Sequence, residues 1–284
     1  MYCFSFAQYV KIKAYTLSKK GGALLSSRRI HAMDELRGFC VFLMIFFHAF
    51  YIGGFLFDVP LFRTLFLLFE PIQPLFAGIF VLLCGISCRL SHNNLKRGLL
   101  LAGAALLLSA VMWTAAYWRL LGQDSLIWFG VLHCLASCIL LYVLFLPTLR
   151  CFPPWLGVLL NAVLFVLCWH VPTSQGGFFG IRNVFEWHLP IFSLNTPWLY
   201  PFGLCPISPC ADYFPLLPWF FCFLAGTYLG VWAKSGKFPR CLYRKRFSWF
   251  SFLGRHALPF YLLHQPIIYG IFFLLDALVG FIMR

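Results

Sequence analysis

From Glu35 to Phe57 the chain reads ELRGFCVFLMIFFHAFYIGGFLF, apolar except for its opening charges and a single histidine, His48. A run of this length can cross the hydrocarbon core of a bilayer, which takes about 20 apolar residues. Within hydrocarbon every backbone N–H and C=O must be satisfied internally, so such a segment is either a helix or a strand of a closed barrel. Barrel strands alternate polar and apolar residues, and this stretch does not. Similar runs recur at about 71–90, 98–118, 125–147, 154–171, 214–233 and 256–281. The expectation is an all-α, polytopic integral membrane helix bundle with about seven transmembrane helices. Only 11% of the residues are charged, against about 25% in a soluble domain, so most of the chain cannot face water. Residues 30–284 are expected to form one membrane domain behind a basic tail, 1–29, in which no apolar core or cleavage site of a secretory leader is expected. Residues 58–70 are too short to cross and read as amphipathic or re-entrant. Pro259 and Pro266 are expected to kink or break the last span.

The formal net charge is +14. In a soluble protein this would suggest nucleic acid, but no basic surface interleaved with aromatics offers bases a stacking platform. Threading the spans alternately gathers seventeen of the twenty-two Lys and Arg residues on one side: in the tail, at Arg89, Lys96 and Arg97, at Arg150, and from Lys234 to Arg255. Positive charge collects in cytoplasmic loops. The N-terminus is therefore expected in the cytoplasm, and the long Pro- and aromatic-rich segment 172–212 outside, in a multi-pass protein of the cell (cytoplasmic) membrane.

The twelve cysteines lie mostly inside apolar runs, where cysteine behaves as a small hydrophobe. Cys84/Cys88 and Cys134/Cys138 have helical i,i+4 spacing but no histidine pair to complete a metal site, and no metal is expected. Cys205 and Cys210 lie in the outer segment, and a disulfide between them is left open. The chain has no phosphate-cradling Gly-rich loop, nucleophile elbow or zinc signature.

Polar groups inside spans are costly, and each is a candidate for function. Arg37 and His48 are eleven positions apart, about 16 Å along a helix and about 20° around it. Asp34, Arg37, Val41, Met44 and His48 thus share one face, with a cation at the mouth and an imidazole near mid-span. A neutral imidazole can act as a general base, although it can equally be a hydrogen-bonded link to another span. Arg37 suits a phosphate or carboxylate, although arginines also snorkel at helix ends. Asp34 can pair with Arg37 one turn away. Arg89 and Arg97 lie on the same side as Arg37, where they could add to an anion site or serve only as topogenic charges. His133, within IWFGVLHCLAS, and His264, before a proline in YLLHQP, are further intramembrane candidates. Asp212, Glu186 and His188 belong to the outer segment.

The opening stretch, RRIHAMDELRGFCVFLMIFFH (28–48), resembles the first span of transmembrane acyltransferases. The resemblance extends through FAGIFVLLCGIS (76–87), IWFGVLHCLA (127–136), ADYFPLLPWFFCFLAGTYLG (211–230) and FLGRHALPFYLLHQPI (252–267), and it is most specific in DYFPLLPW. The chain is similar to the heparan-α-glucosaminide N-acetyltransferase catalytic-domain family, in its bacterial form. It departs from the animal pattern in having no histidine between His48 and His92.

The resemblance implies transfer of an acetyl or other short acyl group from a cytoplasmic coenzyme A thioester, without a metal, to an amine or hydroxyl of an extracytoplasmic sugar or glycan. It also implies His48 as the catalytic base and Arg37 as a donor-site residue. The residues around them add Asp34 to the catalytic set, orienting Arg37, and Arg89 and Arg97 to the donor-binding residues. His133, Asp212, Trp219 and His264 are acceptor-side candidates. The expected partners are the thioester, the glycan and the lipid bilayer; a homodimer is left open. The competing reading is a transporter or flippase of a cell-envelope intermediate, with Arg37 and His48 as substrate or proton groups; a non-enzymatic membrane subunit is a third.

Overall fold

The structure, a computed structural model, describes residues 29–118, 126–172, 177–188, 196–205 and 212–282. The tail 1–28 and the Cys210 half of the Cys205–Cys210 pairing lie outside the described residues. Helix α1, His31–Tyr51, is prolonged by a π-helical turn, Ile52–Leu56. Helices α2, Pro60–Phe69, and α3, Gln73–Leu90, are joined by a 3-10 turn at Glu70–Ile72. Then come α4, Asn94–Tyr117, α5, Val131–Leu149, and α6, Pro154–Leu167. After a short antiparallel hairpin, β1 Phe179–Ile181 with β2 Phe185–Trp187, the chain continues into α7, Leu216–Lys234, α8, Ser248–Arg255, and α9, Ala257–Ile282.

The protein is an all-α polytopic membrane bundle. Six helical stretches among the described residues are long and apolar enough to cross a membrane, and α6 is a shorter apolar helix. The span expected at 154–171 is helical for fourteen residues, about 21 Å, before it gives way to turns. Residues 58–70 are not a separate re-entrant piece. They form α2, which runs back along α1 and continues into α3 as one stretch, Pro60–Leu90. Pro71 and Pro74 stand at the 3-10 joint, where a missing N–H costs least. The last span is not broken, because α9 carries Pro266 within a continuous helix and Pro259 falls in its first turn, where proline is tolerated.

Two helix crossings set the frame. A Cβ at Gly38 of α1 would run into the Phe250 carbonyl of α8, and one at Gly254 into the Asp34 carbonyl. Likewise Gly85 of α3 meets the Phe223 carbonyl of α7, and Gly226 meets the Leu82 carbonyl. In lipid there is little hydrophobic drive between helices, and small residues that let backbones approach supply the packing. The core fills the space beside these crossings with Val81, Ile139, Tyr142 and Phe223, all fully buried. Cys88, Cys134 and Cys138 are buried there too, as small apolar side chains.

Candidate active site

At the end of the bundle where α1 begins, Asp34 sits in the first turn, where a carboxylate complements the helix dipole. It holds Arg29 at 2.7 Å and Arg37 at 3.5 Å. Arg37 donates to Ser87 Oγ at 2.6 Å, and Arg97 donates to the Ser87 carbonyl at 3.4 Å. Thus two of the three expected donor-side arginines meet on Ser87, across α1, α3 and α4. The third, Arg89, is turned towards α5, where it donates to Tyr142 Oη at 3.1 Å. Glu35, beside Asp34, accepts the backbone N–H groups of Arg246 and Phe247 at 2.7 and 3.0 Å. These are orphan donors at the entry to α8, so Glu35 ties the basic segment after α7 to α1.

Beyond Arg37 the α1 face opens on a cavity of about 980 Å³, lined on that helix by Cys40, Val41, Met44, Phe47, His48 and Tyr51. Its other walls come from α2, α3, α4, α9 and the Asp212–Phe214 loop. The polar groups gather around His48. Its Nδ1 lies 3.3 Å from the side-chain amide of Gln265. The His264 ring is centred 4.9 Å from the His48 ring. His264 Nδ1 donates to the Tyr261 carbonyl at 2.7 Å, and its Nε2 is buried with no hydrogen-bond partner among the described residues. Tyr261 donates its hydroxyl to Asp212.

Asp212 sits on the loop ahead of α7, outside the spanning helices, in the left-handed region at φ 54°. Burial pushes its carboxyl up to about 6, against the Tyr261 hydroxyl and a backbone hydrogen bond from Val131, which favour the charged form. A Cβ on neighbouring Gly130 would come within 2.8 Å of Asp212 Oδ2, so a side chain there would push against the carboxylate.

His48 and His264, expected on separate spans, and Asp212, expected in the outer segment, are thus brought together, with His48 and Asp212 on the chamber wall and His264 beside His48. Tyr261 and Gln265 join them and were missed. Their signal was the Y-x-x-H-Q spacing, which puts Tyr261, His264 and Gln265 on one helical face. Because α1 begins at His31 and continues to Leu56, His48 is about 25 Å from one end of that helix and about 12 Å from the other. Asp34 is fourteen residues from His48, about 21 Å, and belongs to the arginine cluster rather than to the histidine chamber. His133 does not line the cavity. Its Nδ1 accepts the Gly130 N–H at 3.3 Å, and its Nε2 lies 3.3 Å from Ser109 Oγ, which fastens the start of α5 to α4. Trp219 is packed among Phe214, Phe165 and Trp169, part of the core that carries the chamber's loop. Glu186 and His188 pair with each other at 3.6 Å on and beside the exposed hairpin.

Fold and cavity together define a multi-pass membrane protein with a chamber among its helices, polar around His48, and an arginine cluster at one end. The chain belongs to the heparan-alpha-glucosaminide N-acetyltransferase catalytic family, whose family model matches residues 29–266. No curated protein matches it, and no solved structure does. Family membership makes it a membrane acetyltransferase.

Proposed function

We propose that the protein takes an acetyl or other short acyl group from coenzyme A at the end marked by Arg37 and passes it to an amine or hydroxyl of an extracytoplasmic glycan at His48. In this reading residues 30–284 are the acyltransferase domain, the tail 1–29 and the arginine cluster face the cytoplasm, and the protein resides in the cytoplasmic membrane. The observation that carries it is the continuity of one α1 face: Arg37 on Ser87, then the cavity from Cys40 onward, then His48. The cluster suits the donor chemically, since guanidinium groups match phosphate oxygens in charge and geometry. Arg37 and Arg97 would bind the nucleotide phosphates and Asp34 would hold Arg37 in place. Arg89, engaged with Tyr142, would act only on the field around them.

At His48 the acceptor N–H or O–H gives its proton to the imidazole as its lone pair attacks the thioester carbonyl. The carbon–sulfur bond breaks, and the imidazolium returns the proton to the departing thiolate. Gln265, whose amide nitrogen lies 3.3 Å from His48 Nδ1 and can donate to it, would hold the imidazole in place for this task. Asp212, through Tyr261, would fix the α9 turn that presents His264 and Gln265.

The test is purified protein in lipid nanodiscs with radiolabelled acetyl-coenzyme A and glucosamine. Wild type is expected to consume the thioester. His48→Ala should lower the rate by about 10²–10⁴, and Arg37→Ala should raise the donor KM at least about tenfold. Turnover of both variants at the wild-type rate would overturn the assignment.

A further inference from the structure

The chamber is not closed on all sides. Past His48 its walls are Tyr51 and Leu56 on α1, Val111 and Met112 on α4, and Leu263 and Tyr269 on α9. Helix α4 packs on α5, and α9 packs on α1, but α4 has no extensive contact with either α1 or α9. The consequence is visible in exposure: Val111 is 56% exposed and Leu263 is 56% exposed although both line the cavity, whereas Tyr261 at the inner end is 8% exposed. The flank between α4 and α9 therefore opens sideways, among side chains that belong against lipid.

The two ends of this cavity ask for different chemistry. The inner end offers His48, Gln265, Asp212 and Tyr261. The open flank is apolar, and a sugar residue lying there would give up hydration with few hydrogen bonds in exchange. The volume, about 980 Å³, is at the upper end of what a small-molecule site needs, room for the donor's arm along α1 and an acceptor beside it. A ligand that matches both ends has a polar head and a long apolar tail.

We propose that the acceptor is a membrane-anchored one, an amine or hydroxyl on the headgroup of a lipid-tailed sugar. It enters laterally between α4 and α9, head towards His48 and tail left in the flank. This rests on the acyl-transfer reading above, and deepens it by naming how the acceptor arrives.

Labelling tests it without requiring turnover. The protein is reconstituted in phosphatidylcholine nanodiscs with a glucosaminyl diacylglycerol carrying a diazirine in its tail, irradiated and mapped by mass spectrometry. The expected result is label on α4 around Val111 and on α9 around Leu263, suppressed by excess unlabelled glucosaminyl lipid but not by the same excess of phosphatidylcholine. Label spread evenly over the perimeter, with Leu159 and Val163 of α6 marked as strongly, or label that phosphatidylcholine displaces equally, overturns the proposal. A second measurement compares acetyl transfer to the tailed sugar and to free glucosamine. The tailed acceptor should be favoured at least about tenfold in kcat/KM, and Val111→Trp with Leu263→Trp should lower that ratio. Equal or better use of free glucosamine overturns the lipid-tailed acceptor but leaves the acyltransferase standing. Competed label without thioester consumption does the reverse.

Discussion

The α3–α7 crossing and the space beside α4 sit in the same bundle and are built on opposite terms. At the crossing, Gly85 and Gly226 bring backbone against backbone, and no methyl group fits between them. Beside α4, Val111 and Met112 look across a cavity of about 980 Å³ towards α1 and α9. The α1–α8 crossing, with Gly38 and Gly254, is of the first kind. The contrast shows how a small membrane protein can hold reactive groups in register and still admit a substrate. The helices that carry His48 and Ser87 are locked by close crossings, while the wall facing His48 is left standing off. Rigid elements place functional groups more accurately than loops do, and lateral gaps are tolerable where lipid or ligand can fill them.

The comparison can be broken most forcefully on the packed side. Gly38→Ala puts a methyl group into the Phe250 carbonyl and should cost ~3 kcal/mol, as severe overpacking does, read as a lower thermal midpoint and a smaller monodisperse fraction in detergent. Next is Glu35→Ala, which strips the acceptor from two backbone N–H groups at the entry to α8. A loss of ~2 kcal/mol is expected, along with faster trypsin cleavage around Arg244–Arg246; Glu35→Gln should lose less.

Asp212 links the two regions, and its effect is on pH dependence. Its carboxyl binds a proton more tightly folded than unfolded, because burial raises it to about 6. The stabilisation from that proton is complete below about pH 4 and is lost as pH rises through about 6. Asp212→Asn should remove this decline from the profile of thermal midpoint against pH, and an unchanged profile would refute the assignment. The smallest effect belongs to the open side, where a methyl group at Gly103 of α4 would meet nothing within 4 Å. Gly103→Ala should stabilise the helix by up to ~1 kcal/mol, the opposite sign to Gly38→Ala, and raise the thermal midpoint in the same detergent.

The candidate site was partly legible in the chain. Helical periodicity alone put Asp34, Arg37 and His48 on one side of α1, and Arg37 does meet Asp34 there. The same periodicity groups Tyr261, His264 and Gln265 on α9. It could not show that these face His48, because the pair His48–Gln265 is separated by 217 residues and nothing local encodes which spans are neighbours. The roles of His133 and Trp219 were illegible for a related reason. An intramembrane histidine reads the same whether it binds a substrate or caps its own helix, as His133 does through Gly130. DYFPLLPW lies within the stretch that the family model matches, yet Trp219 in it is packed into the core.

What the sequence determined by itself is the membrane bundle, the family and the line from Arg37 to His48, because apolar run length and helical pitch are local properties. What only the tertiary structure decided is the chamber: the meeting of His48 with His264 and Gln265, the reach of Asp212 to Tyr261, the split of Arg89 from Arg37 and Arg97, and the gap beside α4. These depend on which helices cross closely and which do not, and the crossing is set by backbone approach at a few glycines whose partners lie far away in the chain.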